Sequence, residues 1–318
     1  MEGVVDHAMR ELLTGLGGID RCVTEFLRVS EQLLPPKVFY RICPELHDGG
    51  TTASGTPVYL QLLGSDPQVV ADNAARGAEL GAPGIDLNFG CPAKTVNNSS
   101  GGAILLRTPR RVHDIVAATR RAVPAAIPVT VKIRLGFEDT APFRDVVAGI
   151  AAAGASELTI HARTKRQGYR PPAHWEHIAD ARALIDLPIN ANGEIWSVED
   201  ARRCRSASGC QRLMLGRGAL CRPDLARLIA AADQGESLEP LDWACIGPLL
   251  NRFFVLNLAS YDARHAGNPL KQWLVYLRSY YPQAHGLFER VKRLHDPIAI
   301  QCELDRELAR MGASRRAA

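Results

Sequence analysis

The sequence predicts an α/β fold, a TIM (β/α)8 barrel followed by a small C-terminal helical domain. Short apolar or β-branched runs alternate with Ala-rich stretches of helical period, which indicates a parallel sheet. Near-continuous apolar strands in a chain of 318 residues favour a barrel over an open sheet. From Asp224 onward only helical periodicity remains. We therefore expect a barrel over residues 1–235 and a helical domain over residues 236–318.

Seven barrel strands are predicted. They are RCVTEFL (21–27), PVYLQLLG (57–64), GIDLNFGC (84–91), PVTVKIRLG (128–136), ELTIHAR (157–163), PINANGEI (188–195) and QRLMLGRGA (211–219). Residues 1–20 offer a helix, DHAMRELLTGL, without a preceding strand. Since a barrel of this class has eight strands, we expect the first one to lie upstream of Met1.

Composition narrows the class of protein. The chain is 46% hydrophobic and 23% charged, as in ordinary globular proteins. Its eight cysteines include no CxxC pair, so the sequence indicates neither a zinc site nor a disulfide framework, and we expect no metal. No run approaches the ~20 apolar residues of a membrane span. We expect a cytoplasmic protein with no membrane association and no stable protein partner.

The charge is distributed unevenly. Of 38 Lys and Arg and 34 Asp and Glu, residues 241–318 carry 11 basic and 7 acidic residues, so the whole formal excess of +4 lies in the last quarter. This asymmetry indicates a polyanionic partner, although a charged helical surface explains it equally well.

Polar residues recur at the carboxyl ends of the predicted strands, where barrel enzymes hold their chemistry. In chain order they are Glu25 and Arg28, Gln61, Asn88 and Cys91, Lys132 and Arg134, His161 and Arg163, Asn190 and Asn192, and Gly216 and Arg217. One such residue is more often a satisfied core group, but all seven strands together indicate a polar ligand across the barrel mouth. The NGE and GRG turns of the last two strands favour a phosphate there.

Lys132 is the strongest single signal. An ammonium within an apolar strand needs an anion or a strong acceptor, which an internal salt bridge also supplies. A lysine in this position also suits the electron-rich pyrimidine edge of a reduced flavin.

Five runs, GIDLNFGCPAKTVNNSSGGAILL, VKIRLGF, IHARTKRQGYRPPAHWEHI, INANGEIW and LMLGRGAL, resemble in this order the bacterial tRNA-dihydrouridine synthases, specifically the DusC type. The resemblance covers essentially the whole chain. It implies an FMN-binding barrel with a helical tRNA-binding domain. It also implies reduction of the 5,6 double bond of a uridine in the D-loop of tRNA, at position 16, with electrons from NADPH.

The resemblance also implies site residues. The cofactor-binding set is Met1, Glu2, Gln61, Lys132, His161, Asn192, Gly193, Glu194, Gly216 and Arg217. The tRNA-binding set is Arg28, Asn88, Tyr169, Lys271, Trp273 and Arg278, and we expect Lys165, Arg166 and Arg170 to add phosphate contacts. The family's first strand ends in a Pro-Met pair, whereas this chain opens at the methionine.

Cys91 stands between a glycine and a proline at a strand end. A cysteine in this position can be a metal ligand, a structural thiol or a nucleophile. Reduction of uracil needs a hydride at C6 and a proton at C5, and a thiol with a pKa of about 8.5 is mostly protonated at neutral pH. We therefore predict that Cys91 is the proton donor. The segment from Pro92 to Gly102 is predicted to close over the substrate.

Two other functions fit parts of the sequence. An FMN-dependent dehydrogenase of a free pyrimidine, of the dihydroorotate or dihydropyrimidine type, also places a cysteine or serine near its flavin, but it needs no cationic helical domain. A non-catalytic tRNA-binding protein needs neither Cys91 nor Lys132 intact.

Overall fold

A computed structural model describes residues 2–98 and 101–317 of the chain. The chain divides into two compact units, Asp20–Gly216 and a second unit made of Met1–Ile19 with Arg217–Ala318. The first is the barrel unit and the second the helical unit. The sequence predicted a boundary near residue 236, whereas the helical unit takes in both the N-terminal helix and the segment from Arg217.

Eight parallel strands form the sheet of the barrel unit. They are β1 (Cys22–Val23), β2 (Leu27–Val29), β3 (Val58–Gly64), β4 (Ile85–Phe89), β5 (Val129–Arg134), β6 (Glu157–His161), β7 (Ile189–Asn192) and β8 (Arg212–Met214). From β3 to β8 each strand pairs with the next along the chain, and β1 and β2 both pair with β3. This succession confirms the predicted barrel class. Within residues 2–98 and 101–317, no pairing joins β8 to β1 or β2.

The first predicted strand is split by a bulge. Cys22 and Val23 pair with Val58 and Tyr59, but Leu27 pairs with Leu62, so one strand gains a residue relative to the other. At the interruption the backbone N–H of Gln61 donates to the Thr24 hydroxyl over 3.0 Å. A side chain thus replaces a ladder hydrogen bond and fixes the backbone at Gln61.

Among residues 2–98 and 101–317, fourteen α-helices cover the sheet or form the helical unit. They are α1 (His7–Gly15), α2 (Pro36–Ile42), α3 (Pro67–Glu79), α4 (Lys94–Asn98), α5 (Pro109–Ala122), α6 (Phe143–Ala152), α7 (Glu176–Leu184), α8 (Val198–Ser208), α9 (Arg217–Cys221), α10 (Leu225–Asp233), α11 (Trp243–Ser260), α12 (Gly267–Leu277), α13 (Gln283–Val291) and α14 (Pro297–Ala317). Two 3₁₀ helices span Pro44–Asp48 and Gly102–Arg107. Asp6, Asp66 and Ser197 cap α1, α3 and α8 with their side chains. Among the described residues, none of these helices combines the length and apolar character needed to cross a membrane.

Alternate residues of the strands differ in polarity. The apolar set, which includes Leu60, Leu87 and Val131, is buried against the helices. The polar set shares the opposite, inner face of the sheet, because its members bond one another. Gln61 bonds Asp86, Asp86 bonds Thr130 and Glu157 bonds Asn190 between neighbouring strands, while Lys132 on β5 reaches Asn192 on β7. The strands are thus buried on both faces, and the inner face of the sheet is polar.

Glu157 organises the inner face at the amino ends of the strands. Its carboxylate accepts from Asn190 Nδ2 over 2.6 Å and from Arg212 over 2.8 Å, and it pairs with Arg21 before β1. Arg21 also lies 4.5 Å above the ring of Tyr59. One buried carboxylate thus connects the first and last strand positions of the sheet.

The helical unit has its own apolar core. The face of α1 that is predicted from its helical period is buried, and it shares one cluster with the later helices: Ala8, Met9, Leu12, Leu13, Trp243, Phe253, Leu270 and Trp273. This burial explains why α1 belongs to the helical unit.

Replacing Glu157 by Gln should lower the free energy of unfolding by about 1–3 kcal/mol, because three donors would share a single neutral acceptor. Urea unfolding of both proteins measures the difference. Glu79→Gln is the control, since the Glu79 side chain is 67% exposed beside Arg76 and contributes little. Equal stability of Glu157→Gln and Glu79→Gln would contradict the role of Glu157.

Candidate active site

Three side chains on the inner face of β3 and β4 form a continuous hydrogen-bonded chain. Gln61 Nε2 donates to Asp86 Oδ2 over 2.7 Å, and Asn88 Nδ2 donates to Gln61 Oε1 over 2.8 Å. Asn88 Oδ1 in turn accepts from the backbone N–H of Gly90 over 2.9 Å. Asp86 is buried, which raises its pKa although the Thr130 hydroxyl and Gln61 both donate to it. Asn88 remains half-buried at the open end of this chain.

Lys132 lies deep in the barrel, with its side chain partly accessible. Its Nζ donates to Asn192 Oδ1 over 3.2 Å, and Asn192 Nδ2 donates to the Met214 carbonyl over 2.7 Å. Burial and, secondarily, the charge of Arg134 lower the pKa of Lys132 to about 8, against the opposing effects of Asp86 and Cys91. The ammonium thus has a single acceptor among the described residues and is suited to bind an anionic or carbonyl group.

The side chain of Asn97 fixes the backbone of the loop that carries Cys91. The Asn97 amide donates to the carbonyls of Cys91 over 3.0 Å and Ala93 over 2.7 Å, and its oxygen accepts from Ile104 N–H over 2.8 Å. Cys91 itself packs against an apolar cluster that contains Phe26 and Leu63. The Cys91 side chain therefore has apolar neighbours, and its residue follows the strand that carries Asn88.

A Cβ atom on Gly102 would lie 2.9 Å from the Cys91 carbonyl oxygen, and its φ of +69° also favours glycine. The predicted closure of the loop from Pro92 to Gly102 stays a prediction, and part of it lies outside the described residues.

His161 is oriented by a buried arginine. The distance from Arg163 NH1 to His161 Nε2 is 3.4 Å. Arg163 Nε donates to the Arg170 carbonyl over 2.7 Å, and the guanidinium pairs with the Glu194 carboxylate. Because a guanidinium only donates, His161 Nε2 can act as the acceptor in its contact with Arg163. Glu194 adopts a φ of +60° and also accepts from Trp196 Nε1 over 3.0 Å. The Glu194 carboxylate therefore pairs with Arg163. A flavin would contact the backbone of Glu194 rather than this side chain.

Arg134 connects the cysteine loop to the loop that carries Tyr169. Its guanidinium donates to the carbonyls of Gly90 over 2.8 Å, Thr164 over 3.1 Å and Gly168 over 2.9 Å. The Tyr169 ring lies 5.3 Å from the same guanidinium and 6.0 Å from the His161 ring, and it is 51% exposed. An exposed aromatic ring braced in this way is suited to stacking on a base.

The other predicted site residues of the barrel unit are dispersed. Arg28 on β2 is exposed, with its guanidinium 5.6 Å from the Phe26 ring, and Gly193 and Gly216 follow β7 and β8. The three basic residues predicted to contact phosphates differ in exposure. Lys165 is half-buried over the Phe137 ring, whereas Arg166 and Arg170 are exposed.

The predicted sites of the helical unit differ in exposure. Glu2 lies in an exposed turn, Arg217 begins α9, and Met1 lies outside the described residues. Arg278 is exposed, and the half-buried Lys271 donates to the Leu294 carbonyl over 2.5 Å. Trp273 is only 1% exposed and donates to the Leu220 carbonyl over 3.0 Å. Trp273 is thus enclosed in the core of the helical unit, and its contact with tRNA stays a prediction.

Sequence reasoning missed Asp86 and Asn97 as site residues. Asp86 was hidden in an apolar run, although it and Asn88 are the two polar residues of GIDLNF and lie two apart, on one face of a strand. Asn97 was assigned to a mobile loop on composition, and no local pattern showed that it binds the Cys91 carbonyl.

The chain is similar to known proteins in both sequence and fold. Residues 1–246 match the family model described as Dihydrouridine synthase (Dus). The chain is 53% identical over 296 residues to the tRNA-dihydrouridine(16) synthase of Pseudomonas syringae pv. tomato, covering 93% of each. It is 46% identical over 315 residues to that of Ralstonia nicotianae, covering 98% of this chain and 95% of the relative. Among solved structures, histamine dehydrogenase from Rhizobium sp. 4-9 is similar with a TM-score of 0.54 at 15% identity, over 80% of this chain and 47% of that one, which concerns the fold alone.

Lys132→Met should stabilise the ligand-free protein at pH 7. The pKa of Lys132 is about 8 when folded and 10.5 ordinarily, so between these values the unfolded chain binds more protons and stability rises with pH. The cost of the charged ammonium is thus present below pH 8. Allowing for partial exposure, we expect a gain of about 1–3 kcal/mol at pH 7 that shrinks towards pH 10.5.

Urea unfolding at several pH values measures this difference, with Lys94→Met on the exposed face of α4 as the control. A difference between wild type and Lys132→Met that does not change with pH would contradict the lowered pKa.

Proposed function

The chain belongs to the dihydrouridine synthase family, and from this premise we propose that it reduces the 5,6 double bond of uridine 16 in the D-loop of tRNA, with FMN as cofactor and NADPH as reductant. The observation that carries the proposal is the position of Cys91. Cys91 follows β4, the strand that carries Asn88, and in the pairing of β4 with β5 Asn88 lies opposite Lys132. A proton donor, a base-binding amide and a cation thus converge at the strand ends.

The residues present fit a flavin. Lys132 has one acceptor at 3.2 Å and access from the strand ends, which suits the pyrimidine edge of the cofactor. Gly193 has a φ of +115°, and a Cβ there would lie 2.8 Å from the His161 ring, so only glycine lets the backbone pass this close. Gln61, Lys132, His161, Asn192 and the Gly193–Glu194 backbone would hold the flavin. Gly216, Arg217, Met1 and Glu2 stay predictions from the resemblance.

FMN, when bound, supplies the hydride that C6 of the uracil accepts. Cys91 then has one task, to deliver its thiol proton to C5, and its apolar neighbours Phe26 and Leu63 exclude water from that side. The Lys132 ammonium stabilises the negative charge that develops on the ring system. His161, held beside Arg163, would contact the flavin.

The substrate reaches this site as an extruded base. Extrusion is least costly in a loop, which fits a D-loop uridine. Tyr169 offers an exposed ring beside the candidate site, and Arg28, Lys165, Arg166 and Arg170 supply cations on the barrel unit. In the helical unit, Arg278 and Lys271 are the candidates for phosphate contacts. The choice of position 16 rests on relatives that are tRNA-dihydrouridine(16) synthases and that the chain matches over 93–98% of its length. Neither the free-pyrimidine dehydrogenase nor the non-catalytic protein has an observation in its favour.

Cys91→Ala should retain FMN and tRNA binding but lower dihydrouridine formation by about 10²–10⁴-fold, the usual contribution of a positioned acid. The assay follows dihydrouridine in a D-loop transcript with purified holoenzyme and NADPH. Cys302→Ala, at an exposed cysteine, is the matched control and should be unchanged. Full activity of Cys91→Ala would sink the general-acid assignment.

Arg278→Gln should weaken tRNA binding and reduce the slope of log affinity against log salt by about one, because one phosphate contact is lost. Filter binding at several salt concentrations measures the slope. Arg202→Gln, on the exposed face of α8, is the control and should leave it unchanged. An unaltered slope for Arg278→Gln would remove this residue from the tRNA-binding surface.

A further inference from the structure

The hydrogen-bonded chain from Asp86 through Gln61 to Asn88 has a fixed polarity. At one end the Gly90 backbone N–H can only donate, so the Asn88 atom facing it at 2.9 Å is the oxygen. At the other end the Asp86 carboxylate accepts, so the Gln61 atom facing it at 2.7 Å is the nitrogen. Both ends require the same orientation of the amides between them, with Asn88 Nδ2 donating to Gln61 Oε1 over 2.8 Å.

This polarity decides what Asn88 offers to a ligand. Its nitrogen carries a second hydrogen, the side chain is half-buried rather than enclosed, and its oxygen already binds Gly90. Neither Gln61 nor Asn88 can turn over without opposing two donors or two acceptors, each of which costs hydrogen bonds in a buried place. Asn88 therefore presents an N–H donor.

The same polarity distinguishes the two pyrimidines. Uracil carries a carbonyl oxygen at C4, which accepts, whereas cytosine carries an amino group there, which donates. C4 is bonded to C5, the carbon to which Cys91 delivers its proton under the proposed function. Cys91 directly follows Gly90, whose N–H binds Asn88, so the thiol and the amide belong to one short segment, and C4 is the ring carbonyl next to the carbon that Cys91 protonates.

We propose that Asp86 is a positioning residue that acts through Gln61 to fix Asn88 as a donor to O4, and that this chain selects uracil over cytosine. The proposal rests on the proposed function for the identity of the base. The polarity of the chain itself does not depend on that function.

Exchanging the two end groups tests the proposal. In Asp86→Asn alone, the new amide can accept from Gln61 and donate to Thr130, so the chain keeps its polarity. In Asn88→Asp alone, two acceptors oppose each other at Gln61, and no donor faces the base. In Asp86→Asn/Asn88→Asp, Gln61 can turn over, every group has a partner again, and residue 88 presents an acceptor.

Binding of FMN-loaded protein is measured by competition between D-loop transcripts with uridine or cytidine at the target position. Wild type and Asp86→Asn should prefer the uridine transcript by about tenfold or more, the usual effect of one well-placed hydrogen bond. Asn88→Asp should lose this preference, and the double variant should prefer cytidine. A double variant that still prefers uridine overturns the proposal.

Unfolding of the same four proteins tests the chain without RNA. The double variant should be more stable than Asn88→Asp, and this coupling should vanish when Gln61 is replaced by Met. Coupling that persists in the Gln61→Met background would reflect charge repulsion between positions 86 and 88, and would overturn the relay. A wild type that forms no dihydrouridine contradicts the proposed function, while the unfolding cycle still decides on the relay.

Discussion

Polar side chains on the inner face of the sheet must find their hydrogen-bond partners on that same face. Strands alternate with period two, and the apolar alternate residues are buried under helices, so the inner face is left with carboxylates, amides and cations. Asp86, Gln61 and Asn88 satisfy one another, and Glu157 satisfies Asn190 and Arg212. The geometry of the site follows from this requirement.

Lys132 differs from these groups, since its ammonium has one acceptor at 3.2 Å and three hydrogens to place. The same side chain is partly accessible from the strand ends. A cation whose partners are incomplete within the barrel, next to a loop that carries a thiol, is the feature that connects the fold to chemistry. The buried charge of Lys132 lowers the stability of the ligand-free protein. A ligand that completes the hydrogen bonds of this ammonium removes that cost, so its binding stabilises the protein.

The sequence was sufficient for the order of the strands and for the strand-end residues, because period and turn chemistry are local signals. Gln61, Asn88, Lys132 and His161 could be located this way. The sequence did not show the bulge at Thr24, which depends on how two strands pair. It also could not separate Trp273, buried in a core, from the exposed Arg278 beside it, because both lie in one basic and aromatic helix. The orientation of the Gln61 and Asn88 amides could not be predicted from the sequence. It depends on hydrogen bonds between residues that are 25 and 27 positions apart along the chain.

The central claim is that this barrel reduces one uridine of the D-loop. Position-resolved mapping of dihydrouridine in tRNA tests it most directly, in cells that lack the gene and in the same cells after it is restored. Dihydrouridine at position 16 should be absent from the cells that lack the gene and present once the gene is restored. Dihydrouridine at other positions should be unchanged. Dihydrouridine that persists at position 16 without the gene would contradict the account.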